Sequence, residues 1–304
     1  MRRTVVRALP DGSVLPVHPF HVCLKGLESA VLCRDDDDYD AMVKVICVSA
    51  WRCNVIVIIY AVVSNHCHVA ILAVSQEDAD KYARDIKKVY SMWFSRKYGE
   101  RNILKRIETK AILLDSDWYV RNALAYIPRN ALDNGRNVND YEWSGYRAMF
   151  ADAVTVNNRR KVSLLNARDR KQIMHTGDKL ERVPWLIDAE NHLIPSSICD
   201  HTYLEQAFNN NQSFFLKTIG ALNVAEISYD LEERPYKMVS DAEMQKSVDE
   251  IAQRWFGKQV AALSMEQKNR LVPYVSHIMK TTPKQLCRVF ELTPERMDAM
   301  LRRK

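Results

Sequence analysis

The chain has 304 residues, of which 47% are hydrophobic and 27% charged. That is an ordinary globular composition, and it argues against a disordered or fibrous chain. At this length two domains are expected, and a formal charge of +6 (44 Lys+Arg against 38 Asp+Glu) permits nucleic-acid binding without requiring it. Seven cysteines with no CxxC pair argue against both a disulfide framework and a structural zinc site.

Met1-Arg2-Arg3-Thr4 leads to no apolar signal core, only to the turn-like Pro10-Asp11-Gly12-Ser13. The longest apolar run, Val55 to Val63, is too short for a membrane-spanning helix, so a reducing cytoplasm and no membrane partner are expected. Phe20 to Leu24 reads as a strand. The acidic run Asp35 to Asp38 fits either the first turn of a helix, where carboxylates face the helix dipole, or a solvated loop. A helix there puts Tyr39, Met42, Val43, Ile46 and Cys47 on one face. The β-branched run Val55 to Val63 predicts a central strand with both faces covered. Ser64-Asn65 suits a tight turn, with His66 to Leu72 as the returning strand. Ser75-Gln76-Glu77-Asp78 resembles a capping box and opens a long helix to about Tyr98. Lys110 to Leu114 reads as a short strand, and Ser116 can cap the helix after it. Residues 1–150 are therefore expected to form an α+β domain, an antiparallel-rich sheet with helices packed on it.

Residues 151–240 give weak signals: a loop at Asn209-Asn210-Asn211 with short helices around it, read as a helical connecting region with no assigned role. Met265 to Met279 is helical in pattern. Thr282-Pro283-Lys284-Gln285 combines an N-cap, a first-position proline and a glutamine three residues on, and Thr293-Pro294 repeats the signal after a break at Glu291-Leu292. An all-α region over 241–304 follows. Its short last connection fits a helix-turn-helix, with Arg296 in the first turn of the recognition helix and Arg302, Arg303 and Lys304 at its end. A plain bundle with a charged tail is the competing reading.

Asn65-His66-Cys67-His68 carries the chemistry. Strand alternation sends His66 and His68 to one side, roughly 6.8 Å apart at the backbone, and Cys67 to the other. Two such imidazoles either hold one divalent metal with positions open for phosphate oxygens, or stand as partly exposed strand histidines. Further on, Asn122, Tyr126 and Asn130 recur every four residues, so a helix brings them to one stripe. Laid over the histidines, that stripe would supply a nucleophile and a third metal ligand.

These residues carry a family resemblance. Ala61 to Val69 resembles the HUH motif (His, hydrophobic, His) of single-tyrosine transposases. Tyr126-Ile127-Pro128-Arg129-Asn130 resembles their Tyr-Ile-x-x-Asn segment. Asp140 to Tyr146 resembles the Tyr-x-Trp-Ser-Ser-Tyr stretch of the REP-associated branch. The resemblance covers roughly residues 15–150 and implies an HUH/RRM-like, ferredoxin-type catalytic domain. By that resemblance His66, His68 and Asn130 bind Mg²⁺ or Mn²⁺, and Tyr126 attacks a phosphate of single-stranded DNA near a hairpin. The strand is nicked and later rejoined through a covalent phosphotyrosine. Cys67 and Gly145 depart from the pattern, and Pro128 is expected to kink or end the helix just past Tyr126.

Other residues carry two readings each. Tyr119 is either a second nucleophile or a core aromatic. Lys87, Lys88 and the other basic residues of the helix after Ser75 either line a strand path or form a solvated face, and Arg129 is a further candidate DNA contact. Three functions compete for the whole chain: an active single-strand transposase, a non-catalytic DNA-binding regulator of the same descent, and a metal phosphodiesterase with no covalent step. Duplex DNA is a further expected partner through the C-terminal helices, and either a monomer or a homodimer is compatible with the sequence.

Overall fold

Gly12, at φ 92°, turns the chain so that β1 (Val5–Ala8) folds back on β2 (Val14–Lys25); an L side chain is strained at that angle. The computed structural model describes residues 4–25, 31–100, 108–133, 135–150, 158–222, 241–278 and 283–301. Chain contacts divide it into two units, Met1–Glu233 and Arg234–Lys304, each with its own hydrophobic core.

In the first unit β2 offers one edge to two partners. β1 pairs with its first residues, and β5 (Glu108–Leu113) pairs from Phe20 to Lys25. Along the other edge β4 (His66–Ala73) pairs from His18 to Lys25, and β3 (Ile56–Val62) pairs with β4. All these pairings are antiparallel, and the sheet is β1 and β5 beside β2, then β4, then β3.

The expectation for β3 needs correction. Its residues are buried on both faces, apart from half-buried Ile56, but the strand lies at the sheet edge. Burial makes a strand apolar whether or not it is central, so composition alone does not report pairing. Its free edge is covered by later chain. Val62 donates its N–H to the Trp143 carbonyl (2.9 Å), Ala61 bridges to Ser144, and Asp200 donates to the Val57 carbonyl (2.8 Å).

The acidic run does open a helix, α1 (Asp36–Cys53), with the Asp35 side chain accepting from the Asp38 N–H. Asp38 is itself fully buried and accepts from Arg34 N–H (2.6 Å), Lys97 Nζ (2.9 Å) and the Tyr98 hydroxyl (2.8 Å). One carboxylate thus ties the start of α1 to the end of α2 (Gln76–Tyr98). Ser75 caps α2 as its sequence suggests, accepting from Asp78 N–H at 3.2 Å. The α2 aromatics pack inward, with Tyr82 donating to the Ile46 carbonyl and Tyr90 to that of Leu32.

Helix α3 (Asp117–Asp133) begins where Ser116 accepts from Tyr119 N–H and runs unbroken through Pro128. The expected stop is therefore corrected: the helix continues five residues past the proline. Pro128 does deprive the Leu124 carbonyl of a helical donor. The Asn130 side chain binds the turn around it, donating to the carbonyls of Tyr126 (2.9 Å) and Ile127 (3.2 Å).

The described residues from 158 to 222 share the same core: Tyr203, Phe208, Phe215 and Ile219 all belong to it. They include a two-stranded ribbon, β6 (Arg160–Lys161) with β7 (Leu186–Ile187), and the helix α4 (Ala167–Ile173) between its strands. Helices α5 (His201–Ala207) and α6 (Gln212–Ala221) pack against α3, whose Arg121 and Arg129 donate to the carbonyls of Ala207 (2.8 Å) and Ile219 (2.9 Å). Asn209 and Asn210 are left-handed (φ 57° and 53°), forming the expected loop, and Asn211 caps α6.

In the second unit the described residues form α7 (Asp241–Phe256), α8 (Met265–Ile278), α9 (Pro283–Phe290) and α10 (Pro294–Leu301). Val248, Leu271, Val275, Leu286, Phe290 and Met297 meet in their core. Glu291, at φ 52°, reverses the chain between α9 and α10. Thr282, Arg302, Arg303 and Lys304 lie outside the described residues. No described helix is long and apolar enough to cross a membrane.

Candidate active site

The alternation of β4 sets His66 opposite Lys25 and His68 opposite Cys23 of β2, on one face of the sheet. Cys67 points to the other face, fully buried, and burial pushes its thiol up to about 12. Helix α3 lies across the histidine face and delivers Tyr126 and Asn130 from consecutive turns. The ring centroids of His68 and Tyr126 are 5.2 Å apart, edge to face, and those of His66 and His68 are 4.7 Å apart. His66 Nε2 lies 3.0 Å from Asn130 Oδ1, and its Nδ1 lies 2.7 Å from Asn65 Oδ1. His66, His68, Tyr126 and Asn130, named from the sequence, are thus in one cluster.

A fifth member is His21 on β2, fully buried. Its ring stacks on His68 (centroids 5.1 Å, planes 24° apart), with His21 Nε2 at 3.0 Å from His68 Nδ1. The only local signal for it is a histidine inside the otherwise apolar strand Phe20 to Leu24.

Two imidazoles and an amide oxygen can ligate a divalent cation, with other positions left to phosphate oxygens or water. Asn130 commits its Nδ2 to two backbone carbonyls, so Oδ1 is the atom it turns toward His66. If His66 Nδ1 carries the ring proton and donates to Asn65, its Nε2 lone pair faces the amide oxygen and a metal ion can bridge the two; if Nε2 carries it, Nε2 donates to Asn130 Oδ1. Their 3.0 Å separation is that of an N–H···O hydrogen bond, and equally of adjacent ligands on an octahedral ion bonded at about 2.1 Å. The set is two imidazoles and an amide; among the described residues no three His, Cys, Asp or Glu side chains form a ligating group. Tyr126 is only 3% exposed and His66 half-buried, while Asn65 at the turn is exposed, so the cluster meets solvent at the His66 end.

The remaining named residues lie elsewhere. Tyr119 is a core aromatic at 4% exposure, and Asn122 bonds the Trp118 carbonyl within its own helix. Lys87 and Lys88 are on α2, which packs on the Cys67 face of the sheet, away from the histidines. Arg129 is held by α6, and Arg296 is exposed on α10 in the second unit. In the Asp140 to Tyr146 segment, Tyr141 donates to the Val62 carbonyl and Trp143 stacks on Tyr39. At Gly145 a Cβ would meet Cys199 Sγ at 3.0 Å and the Tyr60 nitrogen at 3.2 Å, which accounts for glycine where the resembled motif has serine. Comparison with protein families, with characterised proteins and with solved structures gives no match to this chain.

Proposed function

We propose that the chain nicks and rejoins single-stranded DNA through a phosphotyrosine on Tyr126, with His66, His68 and Asn130 holding Mg²⁺ or Mn²⁺. The observation that carries this reading is the convergence of a tyrosine and an oriented amide from α3 onto two strand histidines. The chain order βαββαβ, with sheet order β5-β2-β4-β3, supports a ferredoxin-type catalytic fold.

When bound, the metal would grip phosphate oxygens and raise the electrophilicity of phosphorus. Tyr126 supplies the phenol oxygen that forms the new P–O bond, while the P–O bond to one DNA end breaks and that end leaves as a free hydroxyl. The energy of the ester is conserved in the protein–DNA link, so the reverse attack rejoins the strand without a nucleotide cofactor. At 3% exposure Tyr126 is shielded, so on this reading the phosphate has to reach its hydroxyl from the solvent-facing His66 end of the cluster or after a local rearrangement. The connection of α9 to α10 by Glu291–Thr293, with Arg296 exposed in the first turn of α10, supports a helix-turn-helix that contacts duplex DNA.

That same shielding favours a second reading, a non-catalytic DNA-binding regulator with this fold. One experiment separates the two. A labelled hairpin oligonucleotide is incubated with Mg²⁺ or Mn²⁺ and run on a denaturing gel. A protein–DNA adduct lost in Tyr126→Phe supports the transesterase. Binding without an adduct supports the regulator, and a nick without an adduct supports a phosphodiesterase.

A further inference from the structure

We propose that His21 is a positioning residue: its ring accepts the Nδ1 proton of His68 and so reserves His68 Nε2 as the atom that ligates the metal. The inference rests on the metal reading above and extends it to a residue outside the three recognised motifs.

Both strand histidines have Nδ1 engaged, His66 with Asn65 (2.7 Å) and His68 with His21 (3.0 Å). A neutral imidazole carries one proton, and the partner at one nitrogen decides which nitrogen keeps it. A proton on Nδ1 leaves a lone pair on Nε2, the form in which a histidine ligates. Groups that fix a ligand's tautomer this way are worth about 10–100-fold in metal affinity. For His21 to accept at Nε2, its own proton sits on Nδ1, so the two rings form one directional chain.

The placement serves that role. His21 stands on β2 opposite Ala70, and so on the same face of the sheet as His68, two residues along β4. Both rings are fully buried, and their 24° stacking fixes the angle at which His68 meets Tyr126. A pair that served packing alone would accept an apolar side chain of similar size. A tautomer-setting acceptor would not.

The test uses the full chain with ¹⁵N-labelled histidine, as parent, His21→Leu and His21→Gln. Long-range ¹H–¹⁵N spectra of the metal-free protein read each ring's tautomer, and electron paramagnetic resonance reads Mn²⁺ affinity. The parent is expected to hold His68 with its proton on Nδ1. His21→Leu should lose that single tautomer and bind Mn²⁺ roughly 10–100-fold more weakly. His21→Gln, whose amide oxygen can accept the same proton, should recover most of both. A parent His68 protonated on Nε2, or a folded Leu variant with the parent's tautomer and affinity, overturns the proposal. If Leu fails to fold, the parent spectrum and the Gln variant still decide. A parent that binds no Mn²⁺ refutes the metal site, while the metal-free tautomer still reports on His21 separately.

Discussion

Asn130 does two jobs with one amide. Its nitrogen binds the backbone beside Pro128, and its oxygen faces His66. Asn130→Ala should therefore weaken Mn²⁺ binding. Asn130→Asp should bind the ion at least as tightly as parent, because it keeps an oxygen donor and adds charge; titration followed by electron paramagnetic resonance checks both. If Ala leaves affinity unchanged, the amide is only structural. Thiol chemistry gives a second check. Six cysteines are buried, with Cys53 pushed up to about 11 and Cys67 to about 12 by desolvation, while Cys287 is only half-buried. Because the thiolate is the reactive form, one fast-reacting thiol is expected near pH 8, lost in Cys287→Ser; two or more fast thiols would show that the first unit opens readily. At this scale the cluster was legible where local rules apply. A period of two aligned His66 with His68, and a spacing of four aligned Tyr126 with Asn130. His21 was not legible, since it meets His68 only through strand pairing across 47 positions.

Helix α3 shows where a local rule yields to tertiary structure. Proline inside a helix costs about 3 kcal/mol, which argues for a break at Pro128. Packing of α3 between the sheet and α6, with Arg121 and Arg129 bound to carbonyls at the end of α5 and in α6, outweighs that cost. Strand β3 shows the complementary limit: its apolar run reports burial and is silent on its neighbours. Gly145, beside that strand, gives a sharp test. Gly145→Ser forces a Cβ to 3.2 Å from the Tyr60 nitrogen, a backbone atom that cannot swing aside. Overpacking of this kind costs about 1–3 kcal/mol, to be read as a lower urea midpoint at constant m-value. An unchanged midpoint would mean that the 145–148 turn relaxes freely.

Across the whole chain, α9 and α10 were legible from their Thr-Pro starts, although Thr282 itself lies outside the described residues, and α8 from its apolar pattern; α7 gave no such start signal. In the part from 158 to 222 only the loop at Asn209, Asn210 and Asn211 and the short helices beside it were legible; its role was not, because α4 and α5 are seven residues each and gain their place from packing on the first unit's core. The two cores share no residue, which predicts that a chain ending at Glu233 folds by itself. It should still form the tyrosine adduct on a hairpin at high DNA concentration. Its binding to flanking duplex should fall and depend less steeply on salt, because fewer phosphates are neutralised. A soluble truncation with the parent's affinity and salt slope would show that the second unit does not touch DNA. Aggregation of the truncation would instead show that the two units need each other.

The cover on β3 also sets a timetable for synthesis. Val62 finds its partner in Trp143, about eighty residues downstream. At about 5–20 residues per second, a ribosome leaves that strand edge unsealed for roughly 4–16 s after β3 is made. Throughout that interval the nascent chain carries both histidines beside an open, apolar strand that any extended peptide could extend. Premature termination between the two histidines and Tyr141 should therefore release aggregating products, whereas chains stopped beyond Tyr146 cover the edge at Ala61 and Val62, and those that also include Asp200 cover Val57 as well.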